Sequence, residues 1–278
     1  MHSSYSSSNS CLRVIFRVVV GFEISSVDEF STDSEHSFEP TLFASLGAIK
    51  AVSALYLSVF NCLFETWVKY LVKYGLVPDS QLCTDDFAGH LDKNANLAVK
   101  SIVGIYCFAK MADTLGKPDL AEEYFALAHS YARQWTTLYN DDDHTMLCLG
   151  NHDSYSLKYN MAIDKLLGAE LFDEELVQKE LRYYDKMAGK YGVPLDTRNT
   201  YTKTDWMLWV ATLGDNADVD KYASCIVNFF ADTPQRVPFS DWIDTKEPKY
   251  YNFRNRTVQG GLFLPILRAQ WSKLCKTK

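Results

Sequence analysis

The sequence predicts an all-α protein, an (α/α) toroid built from helical hairpins. Three observations lead there. Connections alternate between long ones, at 76–93, 140–158, 190–203 and 232–256, and short ones near 116–118, 168–173 and 214–217. Segments that follow long connections, from about 94, 159, 204 and 257, are apolar with few charges on any face, whereas 118–139 and 173–189, which follow short ones, are amphipathic. No long strand-like alternation appears after residue 40. A helix that is apolar all round is buried, and one with a single apolar stripe faces water. The alternation therefore gives inner helices, outer helices and long loops that all meet at one end of a ring.

Residues 1–40 differ in texture from the rest. Met1–Ser10 is a Ser tract, 11–24 is rich enough in β-branched residues for a strand or two, and 25–39 is Ser, Asp and Glu with little to bury. That segment is expected to be irregular or disordered, leaving 41–278 as the helical domain. Residues 11–22 resemble a signal-peptide core only faintly, because Arg13 and Arg17 interrupt them and a Ser-rich stretch precedes them.

Residues 41–74 read as one or two Ala- and Leu-rich helices, with Gly75 as the C′ residue and Pro78 beyond it. The next helix begins near Asn94 and carries Leu97, Ile102, Ile105, Phe108, Ala109, Ala112 and Leu115 close to a helical period. Pro118 opens another, to about 139, with acids in its first turn where the dipole favours them. A shorter helix follows from about Tyr159 to Gly168, and one over 173–189 starts on Asp173, Glu174 and Glu175. Lys203–Leu213 and 216–231 follow, and a last helix starts near Gly260 and Gly261 and ends near Leu274.

Composition narrows the function classes. With 278 residues, 47% hydrophobic and 23% charged, most of the chain should fold around a real core, as one large domain or two small ones. Aromatics make up 14%, which leans toward a lined pocket or a toroid core. The net charge of −7, with no basic stripe, argues against a nucleic-acid partner. The 7 cysteines are odd in number and form no Cys-x-x-Cys pair, so neither a disulfide framework nor a zinc site is expected. Cys107 and Cys225 fall on apolar helix faces, where Cys acts as a small hydrophobe. No run approaches the roughly 20 apolar residues of a membrane span.

The long loops hold the chemistry. The first carries Asp85, Asp86 and His90 and runs into Asn94 and Asn96. The second has Asn151, His152, Asp153, Tyr155, Lys158 and Tyr159, and the third has Asp196, Arg198, Tyr201 and Lys203, followed by Asp205 and Trp206. The fourth has Arg236, Asp241, Trp242, Asp244, Tyr250, Tyr251, Arg254 and Arg256. Converging carboxylates with Trp and Tyr walls suit hydrolysis of a small polar substrate, one carboxyl acting as acid and another activating water. Bland roles stand beside these. Asp205 behind Thr204 is also a good helix cap, and Asp241 could cap a turn. Arg198, Arg254 and Arg256 could clamp a substrate carboxylate or pair with Asp85, Asp86 or Asp196 to hold the loops. Asp164-Lys165 reads as a buried ion pair. His90, His144 and His152 have no metal-ligand spacing, and no Gly-x-x-x-x-Gly-Lys or Gly-x-Ser-x-Gly is present. No metal and no cofactor is expected.

Several ordered motifs carry a resemblance. They are Gln81-Leu-Cys-Thr-Asp-Asp-Phe-Ala-Gly-His90, Asn94-Ala-Asn-Leu97, Lys158-Tyr-Asn160 with Asp164-Lys-Leu-Leu-Gly168, and Tyr191-Gly-Val-Pro-Leu-Asp-Thr-Arg198. Tyr201-Thr-Lys-Thr-Asp-Trp206, Arg236-Val-Pro-Phe-Ser-Asp-Trp242, and Phe253 to Gly261 with Arg256 complete the set. Over about residues 67–274 the chain resembles the toroid domain of the glutaminase A family. The resemblance implies a six-hairpin toroid related in shape to glycosidases, and hydrolysis of L-glutamine to glutamate and ammonia, typically outside the cytoplasm. It points to Asp85, Asp86, Asp205 and Asp241 as catalytic candidates. His90, Asn94, Asp196, Arg198, Tyr201, Lys203, Trp206, Trp242 and Arg256 are the substrate-binding candidates. Two upstream segments of the family, Asp-Val-Gly-x-Tyr-Pro and Glu-x-Cys-Gly-Asn, are absent from residues 1–60. The toroid is therefore expected to be incomplete on its N-terminal side. Two other functions stay open: a catalytically inactive remnant acting only in binding, and a glycoside hydrolase-like enzyme.

Overall fold

The computed structural model describes residues 63–83 and 85–276. The expectations for residues 1–40 and for a helix over 41–62 fall outside the described residues. Helix α1 occupies residues 63–74, and the first long loop leads to α2 (Ala95–Thr114). Then come α3 (Pro118–Leu138), α4 (Met161–Leu167), α5 (Glu174–Met187), α6 (Thr204–Ala211) and α7 (Asn216–Asp232). A 3-10 helix, Thr257–Phe263, runs into α8 (Leu264–Lys276). The inner wall passes from α2 to α4 to α6 and on to the 3-10 helix and α8, while α3 packs outside α2 and α7 outside α6. The chain thus adopts the mostly helical toroid of hairpins that the loop pattern predicts.

The burial pattern explains the layers. On α2 the residues Ala95, Ala98, Val99, Ile102, Ile105 and Ala109 are all fully buried, and they cover most of the helix circumference. On α3 only Ala121, Tyr124, Ala128, Ala132 and Trp135 are buried, a single stripe at three- and four-residue spacing. Trp135 donates its indole N–H to the Ala95 carbonyl at 3.0 Å, so its polar end is satisfied in the core. By length and composition α2 could cross a membrane, but 67% of its most apolar stretch is buried inside the fold.

The caps follow the sequence closely. Asn94 Oδ1 accepts from Leu97 N at 2.7 Å and Asp173 Oδ1 from Leu176 N at 2.8 Å. Asp215 and Asp218 form a capping box on α7. Gly168, at φ 61°, ends α4 in the left-handed region. Gly75 serves a different purpose from the one predicted. Its backbone is not left-handed, but a Cβ there would stand 2.6 Å from Ser101 Cβ, so the missing side chain lets the end of α1 meet α2.

Two further expectations are corrected. The last helical segment opens as a 3-10 helix, because its Gly pair is a poor α-former and Gly261 is drawn against α6. Asp164 and Lys165 do not pair with each other. Successive helix side chains point in different directions, so Asp164 accepts from Leu171 N (3.0 Å) and Phe172 N (3.2 Å), while Lys165 reaches Glu174 at 2.6 Å.

The long loops meet at one end of the ring and carry short antiparallel ribbons. β1 (Gln81–Leu82) pairs with β2 (His90–Leu91), and β3 (Asn140–Asp141) with β4 (His144–Thr145). β5 (Tyr201–Lys203) joins the third loop to the fourth through β6 (Trp242–Asp244), in register Tyr201 with Asp244 and Lys203 with Trp242. Leu157 N bonds Leu195 O at 2.9 Å, which ties the second loop to the third.

Candidate active site

Lys203 sits at the last position of β5, immediately before α6. Thr204 N bonds the Asp241 carbonyl at 2.9 Å, which sets Asp241 beside Lys203 at the edge of β6. The Lys203 ammonium contacts Asp241 Oδ2 and lies 3.4 Å from Asp205 Oδ1. All three residues are shut away from water, at 2% exposure for Lys203, 3% for Asp205 and 0% for Asp241. Asp205 lies in the first turn of α6 behind Lys203, which occupies the cap position, so Asp205 is not the helix cap. Among the described residues, Lys203 is the cation that reaches both carboxylates, and no further side chain or backbone N–H is directed at Asp205 Oδ1 or at either carboxylate oxygen of Asp241. Each carboxylate has a second oxygen or further lone pairs beyond the Lys203 contact, so the cluster can accept from a donor besides the ammonium. Burial pushes the Asp205 carboxyl up to about 6, with Lys203 pulling it down and the Asp241 charge adding to the rise.

A second cluster ties the first loop to the third. Arg198 grips Asp196 with two bonds, Nε to Oδ1 at 2.9 Å and Nη2 to Oδ2 at 2.6 Å. Its Nη1 donates to the Ala88 carbonyl at 3.0 Å, and Nη2 lies 3.5 Å from Asp85 Oδ2. Of the two roles open to Arg198, the structure therefore shows loop clamping. Tyr159 donates its hydroxyl to Asp85 Oδ1 at 3.1 Å. Burial raises the Asp85 carboxyl above its ordinary range, against the backbone N–H and the Tyr159 hydroxyl that favour its charge.

Aromatic rings bind the clusters together. Tyr159 stacks on Trp206 with centroids 4.2 Å apart and planes within 5°. The Lys203 ammonium lies 4.9 Å from the Trp206 ring centre and 5.8 Å from that of Phe253. Phe87 packs among Tyr201, Trp206, Trp242 and Phe253. Arg256 stacks over Phe253 at 4.2 Å and comes within 3.9 Å of Asp241 Oδ2, its side chain still 41% exposed. A Cβ on Gly261 would stand 2.9 Å from Asp205 Cβ and 2.8 Å from Trp209 Nε1. Gly261→Ala is accordingly expected to push the 3-10 helix off α6, and to weaken ligand binding more than it lowers the melting temperature. Calorimetric titration beside a thermal melt checks this, and an unchanged affinity would count against it.

The other sequence candidates occupy different settings. Asp86 opens the 3-10 turn Asp86–Ala88. His90 is exposed on β2. Asn94 is spent on capping α2 and on the Leu147 carbonyl. Asp196 is committed to Arg198, Tyr201 accepts from Asn199 at 3.2 Å, and Trp242 stacks on Tyr251. Lys158 is fully buried and donates to Thr145 O, Ser156 O and Ser156 Oγ, and burial draws its ammonium down to about 8. Cys83, Cys107, Cys148 and Cys225 are free thiols. Among the described residues no cluster of three or more His, Cys, Asp or Glu is placed to hold a metal. Phe87, Tyr159 and Phe253 were not among the predicted site residues. All three stand inside the motifs quoted above, which was the signal that could have found them.

A ring of helical hairpins with a buried carboxylate–lysine cluster among the loops at one end is the layout of a helical-hairpin toroid domain. The chain matches the family model described as the Glutaminase A six helical-hairpin domain over residues 42–266, and it belongs to that family. It is 36% identical over 227 residues to Glutaminase A of Aspergillus oryzae (strain ATCC 42149 / RIB 40), covering 79% of this chain and 33% of that protein. A probable glutaminase of Arthroderma benhamiae (strain ATCC MYA-4681 / CBS 112371) is 31% identical over 233 residues, covering 72% of this chain and 27% of the relative. The chain thus spans about a third or less of the length of these curated relatives.

Proposed function

We propose that the site hydrolyses the side-chain amide of L-glutamine, giving glutamate and ammonia. The observation that carries this reading is the buried Asp205–Lys203–Asp241 cluster, two carboxylates set against one ammonium. The names of the two relatives support it. Asp241, in contact with the ammonium, takes a proton from water as the water oxygen bonds to the amide carbon. The C–N bond then breaks, and Asp205, whose carboxyl is pushed up to about 6, gives its proton to the departing nitrogen. Arg256, half exposed at the edge of the cluster, holds the carboxylate of the substrate. Arg198 is already committed to Asp196 and Ala88 and is left out of that role.

A thermal melt of the chain with excess L-glutamine tests the reading, with a simple sugar as control. A ligand that binds only the folded state stabilises it by about 2.7 kcal/mol at a hundredfold excess over its dissociation constant. The expected result is a shift with glutamine and none with sugar, together with ammonia release. A shift without ammonia release would favour a binding-only domain. A shift with sugar alone would favour a glycosidase-like site. No shift with glutamine would sink the amide reading.

A further inference from the structure

Phe87 stands apart from the other rings at the site. It is delivered by the first loop, whereas Tyr201, Trp206, Trp242 and Phe253 come from the third and fourth loops and α6. Its centroid is 4.7 Å from Trp242, 5.4 Å from Phe253, 5.8 Å from Tyr201 and 6.4 Å from Trp206. Two of those rings, Trp206 and Phe253, also bracket the Lys203 ammonium. Phe87 therefore shares its neighbours with the buried Lys203–Asp241–Asp205 cluster. Without it Tyr201, Trp242 and Phe253 still hold one another, and Trp206 keeps Tyr159 of the second loop. Trp242 packs on Phe253 at 5.0 Å, on Tyr201 at 5.1 Å and on Tyr251 at 4.9 Å, and Tyr159 stacks on Trp206. Arg198 fixes the backbone beside Phe87 through the Ala88 carbonyl. The Phe87 ring is thus a separable wall, held in place by a clamp outside the carboxylate cluster.

Building on the amide-hydrolase reading, we infer that Phe87 determines substrate size. It restricts the site to a free small amide whose amino and carboxylate ends are unblocked, and it excludes a glutamine side chain embedded in a peptide. Trp206 and Phe253 bracket the Lys203 ammonium and Phe87 packs on both, so the two peptide groups that flank a chain-embedded residue would meet the Phe87 ring when its side chain reaches the cluster. Selectivity of this steric kind is worth roughly 10–200-fold for each small group a pocket accepts or refuses.

The test compares wild type, Phe87→Ala and Phe87→Leu as full chains. Thermal melts are run with L-glutamine and with N-acetyl-glutamine N-methylamide, and acrylamide quenching of tryptophan emission is measured without ligand. Glutamine should shift all three melts. The blocked amide, which lacks the carboxylate held by Arg256, should shift every chain less than glutamine does, but its apparent affinity should rise at least about tenfold on going from Phe to Ala, with leucine in between. Quenching should increase in the alanine variant as Trp206 and Trp242 lose their cover. If the blocked amide shifts wild type as strongly as glutamine does, Phe87 does not set size, while the amide reading stands. If no amide shifts any variant, the amide reading fails and the size role fails with it. Unchanged quenching in both variants would overturn the wall independently of any ligand. The leucine variant keeps an apolar side chain on the rings and covers the case in which the alanine chain does not fold.

Discussion

Exchange of Lys203 for methionine is expected to cost about 3–5 kcal/mol of folding stability, the range seen when one partner of a buried ion pair is removed. Methionine is a similar unbranched chain without the charge, so the loss is electrostatic rather than a large cavity. In the wild type one ammonium, at 2% exposure, serves both Asp205 and Asp241. Without it two carboxylates remain buried away from bulk solvent, with no other cation closer to Asp241 among the described residues than Arg256 at 3.9 Å. Urea unfolding at neutral pH measures the effect. The double variant Lys203→Met/Asp241→Leu should recover much of the loss, because a buried pair replaced whole by apolar groups is often close to neutral. A single variant within 1 kcal/mol of wild type would show that the cluster is far better solvated than its burial indicates.

Asp205→Asn should separate stability from activity. The folded carboxyl is raised to about 6, against about 3.9 in an unfolded chain. The folded state therefore holds its proton more tightly, and stability falls as pH rises through the window from about 4 to about 6. Asparagine has no charge to bury and escapes that loss. The variant should match wild type below about pH 4 and gain on it across the window, ending on the order of 2 kcal/mol more stable at neutral pH. On the proposed amide hydrolysis, in which Asp205 gives the departing nitrogen its proton, the variant should cut ammonia release by about 10²–10⁴-fold. Melts at several pH values beside a turnover assay check both halves. A variant whose stability runs parallel to wild type at every pH would place the raised carboxyl elsewhere.

The sequence was most legible where the physics is local. Asn94, Asp173, Pro118 and Gly168 mark helix ends through contacts of a few residues, and each stands at or beside an end in the structure. The alternation of loop lengths was equally readable, because an inner helix must be apolar all round. What could not be read were contacts between distant segments. Gly75 meets Ser101, Gly261 meets Asp205, and Arg198 reaches Ala88 across 110 positions. Asp205 and Asp241 were visible as acids in loops. That they share one buried lysine follows from the register of β5 on β6, which two three-residue strands do not announce. His90 had suitable chemistry but stands exposed on a ribbon strand, a difference that composition does not encode.

That register has a consequence for how the molecule assembles. The α2–α3 hairpin closes over a turn of a few residues and is cheap in chain entropy, whereas β5 on β6, Tyr159 on Asp85 (74 positions) and Arg198 on Ala88 (110 positions) close much longer loops. The helices are expected to form early on the path and the loop corner late. In a refolding experiment the far-ultraviolet dichroism of the helices should therefore recover ahead of the emission of Trp206 and Trp242, which report that corner.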